Sequence, residues 1–88
     1  VHELSLIKGL LRKVEEIARA SGARRVVRVR VKLGALSHFS EEHFREHFEY
    51  AARGTAAEGA ILEVERLTDP ADPRAQDVLL ESADVEEP

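Results

Sequence analysis

The apolar positions of this chain follow two different periods. Ile7, Leu10, Leu11, Val14, Ile17 and Ala18 recur at three- and four-residue spacing, which predicts a helix from about Leu4 to Ala20 with one apolar stripe. Lys8, Arg12, Lys13, Glu15, Glu16 and Arg19 fall mostly outside that stripe. Ser21-Gly22 supplies the stop, since glycine readily takes the left-handed conformation that ends a helix. From Val27 the period drops to two. Val27, Val29, Val31 and Leu33 alternate with Arg28, Arg30 and Lys32, predicting a strand with an apolar and a basic face, closed by Gly34. Phe39-Ser40-Glu41-Glu42 then reads as a helix start: Ser40 caps, the glutamates favour the positive end of the helix dipole, and Phe39 staples onto Phe44. Phe44, Phe48 and Ala51 share the core stripe of this second helix, which Arg53-Gly54 ends.

Residues Ala60 to Leu67 predict a second strand, with Leu62 and Val64 on one face and Glu63 and Glu65 on the other. Val78 to Val85 predict a third, whose inward positions Val78 and Leu80, then Ala83 and Val85, change parity and imply a bulge near Ser82. Between them Asp69-Pro70-Ala71-Asp72-Pro73 breaks regular structure. The order is α-β-α-β-β. A strand-helix-strand unit crosses over into parallel pairing, and the short connection after the second strand favours an antiparallel hairpin, so the sheet should be mixed. Each strand has only one clearly apolar side, so both helices must cover one face and leave the other charged and open. The expected fold is therefore α+β, two helices on one face of a mixed three-stranded sheet, in a single domain spanning 1–88.

At 88 residues such a chain buries only about 60 to 65 per cent of its unfolded surface, enough for two layers. The net charge of −4 argues against nucleic acid as a partner. Having no cysteine, the chain carries neither a disulfide framework nor a redox thiol. No apolar run approaches the ~20 residues that span a bilayer, and the first apolar segment is amphipathic without a basic leader or cleavage site. The expected setting is cytoplasmic, with no membrane contact. Arg24, Arg25, Arg28, Arg30 and Lys32 make a basic stripe, which Glu63 and Glu65 on a neighbouring strand are expected to neutralise. No Ser/His/Asp or Cys/His nucleophile arrangement stands out, which points away from an enzyme.

Two constellations suggest metal chemistry. The chain opens Val1-His2-Glu3. With a free α-amine at Val1, that amine, the His2 amide nitrogen and the His2 imidazole close fused rings around one ion. The next backbone nitrogen or the Glu3 carboxylate supplies a fourth position, and tetragonal N,O geometry of this kind suits Ni(II) or Cu(II) better than Zn(II). The second is His38-Phe39-Ser40-Glu41-Glu42-His43-Phe44-Arg45-Glu46-His47. There His43 and His47 stand one helical turn apart, and His38 precedes the helix within possible reach, a secondary metal candidate.

The stretches VHELSLIKGLLRKVEEIARASGARRV, VRVKLGALSHFSEEHFREHFEYAARGT and AEGAILEVE resemble the HypA/HybF family of hydrogenase nickel-incorporation proteins, in that family's order and spacing, over roughly residues 1 to 65. The family opens Met-His-Glu, so Val1 is a departure, although residue 1 contributes only backbone nitrogen to the chelate. A larger departure is that the family carries a zinc-binding insertion with paired C-x-x-C motifs between the last two strands, where this chain has only the short loop 68–77 and no cysteine. The resemblance implies a metallochaperone-like protein that binds Ni(II) transiently at His2, with Val1 and Glu3, for maturation of a [NiFe]-hydrogenase or another nickel enzyme. It further implies the GTPase HypB and the hydrogenase large subunit as partners, and the cysteine-free loop implies no structural zinc. The alternative is a zinc-free relative acting as a protein-interaction module through a sheet edge.

Overall fold

The computed structural model describes residues 3–86. Its elements follow the order α1 (Glu3–Ala20), β1 (Val26–Leu33), α2 (Glu41–Ala51), β2 (Ile61–Arg66) and β3 (Val78–Val85). The fold is α+β, with two helices on one side of a three-stranded mixed sheet. The stripe of α1 buries Ile7, Leu10, Leu11, Val14 and Ala18, and that of α2 buries Phe44 and Phe48. These side chains meet Val26, Val29, Val31, Leu33 and Leu62 in one core.

Both helix boundaries come from local chemistry. Gly22 (φ 69°) turns the chain after α1, with Gly22 N donating to Arg19 O at 3.1 Å. Ser40 lies in an extended conformation before α2, and its hydroxyl accepts from His43 N at 3.0 Å, satisfying one of the helix's free donors. The Phe39 ring meets Phe44 edge-on at 6.2 Å, the staple expected from the sequence.

The strand order is β2-β1-β3. β1 and β2 are parallel, consistent with a crossover through α2, and β1 and β3 are antiparallel. The expected hairpin between the second and third strands does not form, because β3 pairs with β1 on the opposite edge. The reason lies in β1, whose four inward residues Val26, Val29, Val31 and Leu33 are all fully buried, whereas β2 buries only Leu62. The most apolar strand takes the centre. The connection 67–77 passes over the end of β1: Leu67 N donates to Leu33 O at 2.8 Å, Leu36 N to Ala75 O at 2.7 Å and Gly34 N to Asp77 O at 2.8 Å.

A second correction concerns the start of β1. Val27 was expected to face the core but is 44% exposed, while Val26 is 1% exposed. The register explains it: Val26 faces Val85 and Arg28 faces Asp84, so Val27 is an extra residue bulged out of the ladder. The bulge expected near Ser82 is present, since Arg30 faces Ser82 and Val31 faces Leu80, leaving Glu81 unmatched.

The face of the sheet away from the helices carries the basic stripe of β1. Glu63 takes Arg28 at 3.0 Å and Arg30 at 3.1 Å, Asp84 lies 3.8 Å from Arg30, and Glu81 lies 3.7 Å from Lys32. The Arg30 guanidinium is held above its ordinary pKa, chiefly by the Glu63 hydrogen bond and then by Asp84. Neutralisation by Glu63 is as expected. Glu65, opposite Lys32 in the ladder, forms no ion pair among the described residues, and two β3 carboxylates share its expected role.

Candidate metal centre

Val1 and His2 lie outside the described residues, so the expected terminal chelate is not placed. Glu3, expected as a further donor, is placed. Glu3 opens α1 at the head of the apolar stripe, four residues before Ile7, on the face that packs against α2. Its Oε1 stands 2.8 Å from His47 Nδ1. An ionised carboxylate only accepts hydrogen bonds, so Nδ1–H donates and the lone pair of neutral His47 sits on Nε2. About half of the His47 side chain is exposed, against a quarter of Glu3.

His43 and His47 are both exposed on the shoulder of α2, beside the buried Phe44 and Phe48. Their rings are nearly parallel, 8° between planes and 6.3 Å between centroids. The i,i+4 spacing thus places the two imidazoles side by side, as the sequence suggested. His38 does not complete a triad. It lines an open groove with Leu6, Leu36, Phe39, Arg74 and Asp77, and among the described residues no three or more His, Asp or Glu side chains gather closely enough to hold an ion.

Sequence reasoning missed the Glu3–His47 contact. The signal was available: Glu3 is a polar residue on the first position of the α1 core stripe, and such a position must meet whatever covers that stripe. That His47 is the group it meets depends on how α1 and α2 pack. Nearby, Arg45 donates to Leu62 O at 2.7 Å and lies 3.8 Å from Glu41. Arg66 donates to Phe39 O. These arginines tie α2 and its entry loop to β2 and hold the histidine-bearing helix against the sheet.

The family described as "Hydrogenase/urease nickel incorporation, metallochaperone, hypA" matches residues 1–72, and the chain belongs to that family. Among its relatives, hydrogenase maturation factor HypA of Acidithiobacillus ferrooxidans is 44% identical over 64 residues, 73% of this chain and 57% of the relative. The HypA of Methylocella silvestris is 42% identical over 65 residues, 74% and 58% respectively. The chain thus spans somewhat more than half the length of these relatives. The solution structure of the Ni metallochaperone HypA from Helicobacter pylori superposes with a TM-score of 0.79 at 19% identity, covering 97% of each chain, which shows a shared fold.

Proposed function

We propose that this chain takes up Ni(II) through His2 and delivers it for maturation of a nickel enzyme, in the first instance a [NiFe]-hydrogenase. The His2 imidazole anchors the ion, with the Val1 α-amine and the His2 amide nitrogen completing fused rings. Glu3 contributes the fourth donor, and its engagement with His47 favours its backbone nitrogen over its carboxylate. That nitrogen heads α1, where the first four N–H groups have no intrahelical partner, so metal does not compete with the helix for it. The observation that carries the reading is the family match beginning at residue 1 and including Val1-His2-Glu3.

In this reading the protein is a carrier without catalytic activity, working in the cytoplasm as a single domain over 1–88. The 68–77 connection stands where the family has its zinc module, and the domain folds without structural zinc. The receiving partners are a nickel-carrier GTPase of the HypB kind and the hydrogenase large subunit.

The test is a Ni(II) titration of three proteins side by side: one with a verified free amine at Val1, its Nα-acetylated form, and His2→Ala. The first should bind about one equivalent with the absorption of planar nitrogen coordination, and both others should lose that species. The same planar-nitrogen absorption in all three would overturn the assignment.

A further inference from the structure

The exposed pair on α2 offers metal donors that the proposed terminal chelate does not use. Metal-ligating histidines commonly donate their other ring N–H to a carboxylate, which sets the tautomer, orients the ring and raises ligand basicity. His47 has the contact that arrangement needs, Nδ1 standing 2.8 Å from Glu3 Oε1, and with Nδ1–H donating, the neutral ring would present its lone pair on Nε2. His43 stands one turn away with its ring parallel, and both imidazoles are exposed, the i,i+4 spacing at which two helix histidines can share one divalent ion. We propose that His43 and His47 form a two-histidine divalent-metal site with Glu3 as its positioning carboxylate, distinct from the proposed amino-terminal nickel site.

Three features separate this site from the terminal chelate. Its ligands are side-chain imidazoles alone, so it needs neither a free α-amine nor a deprotonated amide. It has two protein ligands, and water fills the remaining positions, so its Ni(II) is six-coordinate and paramagnetic, whereas a planar four-nitrogen Ni(II) is diamagnetic. Its ions exchange readily, as suits a waiting position for metal entering or leaving. Glu3 connects the two sites, since its carboxylate orients His47 while its backbone lies next to His2 in sequence.

The site does not require the proposed terminal site to exist, and the experiment separates them. Ni(II) is titrated into the full chain with its α-amine acetylated, which removes the terminal chelate, while histidine imidazole protons are followed by NMR. Nickel should broaden His43 and His47 selectively, sparing His38, without the absorption of a planar complex. His47→Ala and His43→Ala should each weaken this binding by at least about tenfold, and Glu3→Ala by about tenfold, the usual effect of removing a group that orients a ligand. The ¹⁵N shifts of metal-free His47 add a readout that helix stability does not move: a single Nδ1–H tautomer in the parent and a tautomer mixture in Glu3→Ala. Uniform broadening of all histidines, or unchanged binding in His43→Ala and His47→Ala, would overturn the proposal. Loss of the planar species in unmodified protein, with the α2 signals still broadened, would instead sink the terminal-site reading and leave this one standing.

Discussion

Gly34 shows how tightly single positions are set in this small domain. A Cβ there would stand 2.2 Å from Ala75 O and 2.8 Å from Arg74 O, so the residue is glycine because two backbones touch, not because of an unusual dihedral. Gly34→Ala must push the 67–77 connection off the end of β1 and break the bonds from Gly34 N and Leu36 N. Overpacking of this kind costs about 3 kcal/mol. At roughly 4 to 8 °C per kcal/mol for a domain of this size, the thermal midpoint should fall by more than about 10 °C. A midpoint unchanged from the parent would mean the close approach is not made. At the same scale the histidines were only partly legible. One-turn spacing is a local property and put His43 beside His47 correctly, whereas the Glu3–His47 contact and the separation of His38 both depend on packing between elements far apart in sequence.

The bulge at Val27 is an element-scale feature with a direct stability signature. Unbroken alternation from Val27 to Leu33 reads as one regular strand, and nothing in it says that Val26 rather than Val27 turns inward. That choice is made by β3, whose register places Val85 opposite Val26 and Asp84 opposite Arg28. Val26→Ala should cost about 2 kcal/mol for the buried methyl groups lost and the cavity left. Val27→Ala should change stability by less than about 0.5 kcal/mol, as for other exposed positions. Chemical denaturation of both variants decides it, and equal losses would restore the regular strand. The helix ends were more legible, since capping uses only neighbours. Ser40→Ala should cost about 1 kcal/mol by orphaning His43 N. Loss of that cap frays the first turn of α2 and should also loosen His43 before it affects His47.

At the scale of the whole molecule, the sequence conveyed the layers but not the strand order. Periodicity says which face of each strand is apolar, and that suffices to place both helices on one side. Strand order depends on which strand is buried on both flanks, and there the weight of β1, with Val26, Val29, Val31 and Leu33 all in the core, overrides the preference for pairing consecutive strands. The connection that makes this possible carries its own order. Ala71 N donates to Asp69 Oδ1 at 2.9 Å and Arg74 N to Asp72 Oδ1 at 2.8 Å, and Ala75 is buried against the end of β1. Side-chain turns of this kind stand in for regular backbone pairing. Folding of this domain should therefore be independent of zinc. Metal analysis of purified protein is expected to find no stoichiometric Zn(II), and a strong chelator should leave the thermal transition in place, whereas a zinc-coupled fold would lose its transition altogether. A retained equivalent of zinc, with a midpoint that drops on chelation, would show that an ion holds the 67–77 connection rather than Asp69, Asp72 and Ala75.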